Sequence, residues 1–279
     1  MIPKAYEKHT IVGFALIVHL LPLTLFYTGV NRRDWIALGI LYLINTLALC
    51  GGMHRYFSHR GFKTSRAFQF VLALLGAIFF ADVIGFSGRH RLHHKYSDTD
   101  EDVHSPKRGW WQCWFGHLLD DDGRPETEIL KATPDLARYP ELMWFHKWSA
   151  IPGIGLGALL YWIGGYTMLA SAWALIILLT LHGPAALNYL GHQNRNRPFN
   201  LPDLSSNSIL LAFVLFGEGW HNNHHYFPAS ARAGFRWYQF DGTYYMLKML
   251  SWTGLIWDLR EPPPEAKRAI PRGETCALP

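Results

Sequence analysis

The sequence predicts an all-α integral membrane protein, with four transmembrane helices and a cytoplasmic helical cap that carries a histidine-rich metal site. Three observations lead there. Hydrophobic residues make up 49% of the 279 positions and charged residues only 17%, against about 25% charged in ordinary soluble chains. Apolar runs occupy residues 11–30, 35–53, 149–165 and 166–187. Each is long enough to cross a hydrocarbon core of about 30 Å at about 1.5 Å per residue. Most of the 15 histidines lie in clusters outside those runs.

The first run ends at Asn31-Arg32-Arg33-Asp34, with no small-residue cleavage site behind it, so it reads as an uncleaved span rather than a secretory signal. The second follows after a loop too short to be a domain. The third and fourth meet at Gly164-Gly165, an uncharged turn. Residues 67–86 are equally apolar but contain Asp82. Were they to cross, the histidines on either side would face opposite compartments, which one metal centre forbids. This segment is therefore expected to be re-entrant or interfacial. Four spans leave the histidines, both termini and most Lys and Arg on one face, which the positive-inside rule makes cytoplasmic. Residues 1–260 read as one domain and 261–279 as a polar, proline-rich tail, extended or poorly ordered. No internal repeat has a solenoid period.

Twelve Trp, 13 Tyr and 17 Phe suit membrane interfaces. The net charge of +5 is dispersed, which argues against nucleic acid and fits an anionic lipid surface. Three cysteines without a Cys-x-x-Cys pair imply a reducing compartment and no disulfide framework. The terminal Cys276-Ala277-Leu278-Pro279 ends on the wrong residue for a prenylation box.

Two copies of His-x-x-His-His, at His90, His93, His94 and at His221, His224, His225, follow a pair at His54 and His59. Positions i, i+3 and i+4 share a helix face, so each triplet is expected to aim three imidazoles at one point. Imidazole suits iron, copper, zinc and nickel. Eight such histidines exceed the four to six ligands of one first-row metal, so two metals are the natural count. His192, four residues after Asn188 on one helix face, is a ninth candidate, with Asn188 a ligand through water or an orienting neighbour. His54 and His59 are five apart, about 140° on an ideal helix. Either the helix unwinds there or each serves a different metal. Glu101-x-x-His104 and Glu218-x-x-His221 match the Glu-x-x-His of carboxylate-rich helical bundles. Pro106 near the first and glycines on both sides of Glu218 are poor settings for bundle helices. Glu218 reads instead as a carboxylate orienting a ligand histidine.

His54-Arg55-Tyr56-Phe57-Ser58-His59, His90-Arg91-Leu92-His93-His94 and Gly217-Glu218-Gly219-Trp220-His221-Asn222-Asn223-His224-His225 resemble the three histidine boxes of the membrane fatty acyl desaturases. The stearoyl-CoA (Δ9) desaturase-like branch is the nearest in pattern. Asn188-Tyr189-Leu190-Gly191-His192 matches that branch's extra Asn-x-x-x-His, and Asn196-Arg197-Pro198-Phe199 and Phe227-Pro228-Ala229-Ser230-Ala231-Arg232 match its flanks. The likeness covers roughly residues 10–260. It implies a di-iron centre held by the nine histidines and Asn188, with molecular oxygen as co-substrate. The implied reaction takes two hydrogens from adjacent methylenes and leaves a cis double bond, at Δ9 in that branch. Electrons come from an external donor such as ferredoxin, rubredoxin or cytochrome b5, since no such domain is expected within these residues. The implied location is a bacterial inner membrane or the endoplasmic reticulum. By the same likeness Tyr42 and Thr46, four apart on one face of the second span, fall where a substrate tunnel closes.

The chain departs from the pattern after the second box. Acyl-CoA users carry Gly-Trp-Leu-Leu and then an Arg-Lys pair; here Gly116-His117-Leu118-Leu119 precedes Asp120-Asp121-Asp122, with Asp121 and Asp122 at the basic positions. Gly88 stands where those members have Arg. Carboxylates repel the phosphates of coenzyme A, although Arg89, Lys107 and Arg108 are near in sequence. An acyl chain on a membrane lipid is the favoured substrate, with acyl-CoA second. His117 and Trp114 are excluded from the ligand set, and His104 is assigned a supporting role. His9, His19, His146 and His182 match no box and are expected to make packing or solvent contacts. A membrane di-iron hydroxylase or alkane monooxygenase is the rival enzyme. A metal transporter or sensor is the rival class, but it calls for ionisable groups along the spans, where only His19 and His182 occur.

Overall fold

The computed structural model describes residues 8–116, 125–193 and 195–267. The acidic run at 120–122 and His117 lie outside the described residues, as does most of the tail. Helix α1 (Lys8–Leu20) passes through a 3-10 turn at Leu21–Thr24, where Pro22 lacks an amide hydrogen, and ends at Gly29. Helix α2 (Arg32–Thr46) starts on a reciprocal cap in which the Asn31 amide donates to Asp34 Oδ2 at 3.1 Å. It runs straight on into a π-helix, Leu47–Ser58. Three segments are long and apolar enough to cross a membrane: His9–Thr28, Arg32–Ser58 and Ala150–Leu190. Their outward faces carry bare apolar side chains, with Phe26 89% and Trp162 82% exposed. Lipid contact accounts for such a surface, and water does not.

The third segment is not one rod. It comprises α7 (Ala150–Met168), a π stretch Leu169–Trp173 and α8 (Ala174–Leu190). Gly165 takes φ 69°, ψ −159°, backbone open essentially only to glycine. The Trp173 indole donates to Gly153 O at 3.0 Å. On a straight helix those residues would stand about 30 Å apart. The chain therefore reverses at Gly164-Gly165, where the sequence put its turn. At that end Arg33 donates to Gly164 O and Asn31 to Thr167 Oγ1, both at 3.2 Å, so the two connecting turns meet.

Residues 67–86 are not one helix either. Helix α3 (Arg66–Ala77), capped by Ser65, has 12 residues. At about 1.5 Å each that is about 18 Å, too short to cross. Phe80 then takes a left-handed φ of 62°, and Asp82 caps a new helix, α4 (Val83–Tyr96), accepting from Ile84 N and Gly85 N. His146, on α6 (Pro140–Lys147, after α5 at Glu126–Ala132), bonds the same Asp82 at 2.7 Å and Glu126 at 3.2 Å. Packing or solvent was the expectation there; the imidazole instead braces a helix cap.

The two largest apolar clusters among the described residues are the main cores of the fold. One lies among the spans, around Val18, Leu41, Leu160, Trp173 and Ile176. The other joins the π-helix, α3, α4 and α6 to the later α11 (Gly242–Trp252) through Met53, Phe57, Leu72, Ile84, Leu142 and Leu247. Between α8 and α11 come two short helices, α9 (Ile209–Val214) and α10 (His221–Tyr226). Among the described residues the sheet content is one two-residue antiparallel ladder, Lys63–Thr64 with Ile256–Trp257. The tail starts packed: Pro264–Lys267 forms a helical turn, and Ala266 is buried with Phe199 and Phe235.

Two intramembrane histidines also depart from expectation. Trp114 Nε1 donates to His182 Nδ1 at 3.0 Å, which leaves the His182 proton on Nε2. His19 Nδ1 must donate to Ala15 O at 2.6 Å, so its Nε2 accepts from His182 at 3.0 Å. Each ring thus has one defined neutral tautomer. The chain of bonds stitches α1 to α8 and to the 112–116 turn.

Candidate metal centre

All nine histidines proposed from the sequence converge, in two groups. His54, His59, His90, His94 and His224 form one; His93, His192, His221 and His225 form the other. Each triplet straddles both groups instead of serving a single point. At about 100° per residue, i+4 lies about 40° to one side of i and i+3 about 60° to the other. His90 with His94, and His221 with His225, therefore stay together while His93 and His224 turn to the opposite group. The π-helix resolves the spacing of His54 and His59. Its wider i→i+5 turn brings residues five apart onto one face, and their ring centroids are 5.1 Å apart in the same group. Both rings therefore stand in the same group of possible ligands.

Within the five-histidine group Nε2 atoms succeed one another: His59 to His90 at 2.7 Å, His90 to His94 at 3.1 Å, His94 to His224 and His224 to His54 at 2.9 Å. In the other, His221 Nε2 lies 2.9 Å from His192 Nε2 and 3.1 Å from His225 Nε2. Imidazole Nε2 offers one in-plane proton or one lone pair, so it cannot bond linearly to two such neighbours. Lone pairs aimed at a shared cation explain the pattern. Nitrogens about 2.0–2.1 Å from a metal stand roughly 2.9–3.4 Å apart. His93 Nε2, 5% exposed at its residue, is buried without a hydrogen-bond partner, as expected of a ligand atom. The residues present fit a pair of imidazole-bound metals.

Behind the rings stand carboxylates, which fix Nδ1 as donor and free Nε2 to ligate. Glu218 accepts from His54 at 2.5 Å, Asp102 from His93 at 3.0 Å, Asp98 from His192 at 2.7 Å and Asp203 from His225 at 2.8 Å. Glu218 was legible in the sequence, and the three aspartates were not. Asp98 and Asp102 sit in the acidic stretch just after the first triplet, which was the available signal; Asp203 had none. Asp98 holds a left-handed φ of 59° and also accepts from Leu204 N and Ser105 Oγ, tying the end of α4 to the loop after α8.

Burial first, and then neighbouring imidazoles, push His59, His90, His94, His221, His224 and His225 well below the ordinary histidine range. They are neutral, as ligation requires. At His93 burial pulls the same way, but Asp102 outweighs it and raises the ring. Burial would lift the Glu218 carboxyl, yet Arg55 and His54 bring it down to about 2. Arg55, 2% exposed, donates to Glu218 Oε1 from Nε at 3.1 Å and Nη2 at 2.8 Å, to Asp241 at 3.1 Å and to Ala231 O at 2.8 Å.

Asn188 stands half-buried in the last turn of α8, four residues before His192. His104 joins His93 and Asp102 in a third, overlapping group, beside the second set rather than in it. The Thr46 hydroxyl donates to Tyr42 O at 2.9 Å. The Tyr42 phenol donates to Val214 O, and its ring meets Phe216 edge-on at 5.5 Å. Tyr42 thus anchors α2 to the strained turn at Phe216 and Gly217, just before Glu218.

The fatty acid desaturase family model matches residues 33–250. The chain is 33% identical over 240 residues to the icosanoyl-CoA 5-desaturase of Limnanthes douglasii, covering 85% of this chain and 67% of that one. It is 31% identical over 252 residues to the sn-1 stearoyl-lipid 9-desaturase of Anabaena variabilis, covering 85% and 92%. With the palmitoyl-monogalactosyldiacylglycerol delta-7 desaturase of Arabidopsis thaliana it shares 30% over 266 residues, covering 93% and 70%. A helical protein with three apolar membrane-length segments, two convergent histidine groups and these relatives belongs to the fatty acid desaturase family, and with it to the oxidoreductases.

Proposed function

We propose that this chain is an oxygen-dependent di-iron desaturase that introduces a cis double bond, at Δ9, into a saturated acyl chain carried on a membrane lipid. The observation that carries the reading is the convergence of nine imidazoles into a five-membered and a four-membered group in a member of this family. His54, His59, His90, His94 and His224 would hold one iron, and His93, His192, His221 and His225 the other, with Asn188 beside the second. When bound, the irons supply the redox chemistry that couples reduction of oxygen to water with removal of two hydrogens from adjacent methylenes. Oxygen, two external electrons and two protons enter, and two waters leave.

The protein's own part is placement. Glu218, Asp98, Asp102 and Asp203 hold their imidazoles in one tautomer. Arg55 keeps Glu218 anionic where burial alone would protonate it. The four-span arrangement, with α3 re-entrant and the histidines on the cytoplasmic side, agrees with the hairpin at Gly165 and the brevity of α3. Tyr42 and Thr46 would end the acyl tunnel, and electrons would come from a separate carrier docking on the cytoplasmic face.

The Asp120-Asp121-Asp122 run and the lipid 9-desaturase relatives favour a lipid-borne chain. The acyl-CoA relatives keep acyl-CoA as the second reading. Purified enzyme with a competent electron donor should desaturate phospholipid or glycolipid chains faster than acyl-CoA. Asp121→Arg with Asp122→Lys should shift that preference toward acyl-CoA. Efficient turnover of stearoyl-CoA with lipid-bound chains ignored would reverse the assignment.

A further inference from the structure

We infer that the two histidine groups are unequal in affinity, and that the four-histidine group of His93, His192, His221 and His225 takes its metal first. Asp98, Asp102 and Asp203 act as the positioning residues responsible. The inference rests on the two-metal reading above and assigns an order within it. Ligand count alone argues the other way, since five imidazoles face four. The carboxylates decide otherwise. Three of the four rings in the smaller group donate Nδ1–H to an aspartate, at 2.7 to 3.0 Å. In the larger group His54 leans on Glu218, and that carboxylate is already shared with the Arg55 guanidinium, which meets Oε1 through two nitrogens.

Among the described residues, none of the three aspartate side chains forms a salt bridge with lysine or arginine. The cations beside them take backbone oxygens instead: Lys107 Nζ donates to Asp98 O at 2.7 Å and Arg197 to Asp203 O. All three charges are therefore left to hold the imidazoles in front of them in one tautomer and to attract a divalent cation. The smaller group is also the better prepared. Its tautomers are fixed at His93, His192 and His225, and His93 Nε2 is buried with nothing to bond. Loss of one orienting partner typically costs about 10–100-fold in metal affinity. Three such partners outweigh one additional neutral ring.

The test uses full-length protein in lipid nanodiscs, stripped of metal by a chelator and titrated anaerobically with Co(II), followed by visible absorption and calorimetry. The first equivalent should disappear in His221→Ala and persist in His59→Ala. Asp98→Asn and Asp203→Asn should each weaken the first equivalent about 10–100-fold. Glu218→Gln should weaken only the second. The two aspartates lie on different loops, so if one variant does not fold the other decides. A first equivalent that survives His221→Ala but is lost in His59→Ala overturns the inference. So does an unchanged first dissociation constant in Asp98→Asn or Asp203→Asn. Two equivalents bound in reverse order remove the ranking and leave the two-metal reading intact. Wild-type protein that binds no Co(II), or only one equivalent, removes both.

Discussion

Arg55→Met tests whether the buried ion network holds the metal centre together. In the folded protein Glu218 is 5% exposed and has two partners, His54 Nδ1 and the Arg55 guanidinium. Asp241, the other carboxylate on Arg55, is insured: it also accepts from Ala233 N at 2.6 Å, Gly234 N at 3.2 Å and Tyr244 N at 2.9 Å. Removing the cation therefore strands mainly Glu218. Breaking a buried pair on one side costs about 3–5 kcal/mol. At about 2–4 °C per kcal/mol for a chain of this size, that is a fall in Tm of about 6–20 °C. The double variant Arg55→Met with Glu218→Gln should regain part of the loss, because the stranded charge is gone. It should still bind less iron, since Gln holds the His54 tautomer less firmly. Thermal unfolding of the nanodisc-reconstituted protein, with iron content measured on the same samples, reads both effects. A single variant that melts like wild type, or a double variant no more stable than the single one, would refute the assignment of the cost to Glu218.

Other expectations follow from the same geometry. His224→Ala, which removes the ring bridging His54 and His94, should abolish turnover while the protein still inserts in membranes; full activity would remove His224 from the ligand set. Asp135 joins Arg60 and Arg91, and Arg91 also donates to Phe57 O and Ser58 O, clamping α4 to the end of the π-helix. Burial alone would raise the Asp135 carboxyl, but the two arginines bring it from 3.8 to about 2. Its stabilising contribution is complete above pH 3.8 and fades as pH falls through about 2, so Asp135→Asn should lower stability at every pH above that window and flatten its pH dependence within it. Gly165→Val forces a side chain into backbone that only glycine adopts freely, and should cost about 1–3 kcal/mol, seen as a lower Tm. Cysteine labelling from outside the cell should reach the Asn31–Asp34 loop and miss positions near Lys63 and Lys95. Labelling near Lys95 with protection near Lys63 would mean that the intervening segment crosses.

Periodicity and spacing were enough to find the apolar membrane-length segments, the Gly164-Gly165 reversal and every histidine that enters the two groups, because these are local properties of short stretches of chain. Residues 67–86 were expected to be a single re-entrant or interfacial helix, from the requirement that one site face one side; the break at Phe80 into two helices was not legible. Glu218 could be read from its place beside the last triplet. The division of ligands could not. Whether His54 and His59 point together depends on a π-helical turn, set by how the end of the second span packs against its neighbours. The sorting of His93 and His224 depends on where two helices cross. Asp98, Asp102 and Asp203 act through side chains up to 94 residues away, and a single acidic residue in a polar loop has no distinctive pattern. Arg55 looked like a box residue of no assigned role until Glu218 and Asp241, 163 and 186 residues later, closed around it. Composition and spacing thus determined that this is a membrane protein with imidazole clusters. Only the packed chain decided which imidazoles meet and which carboxylates stand behind them, because a metal site is a coincidence in space of residues that the sequence holds far apart.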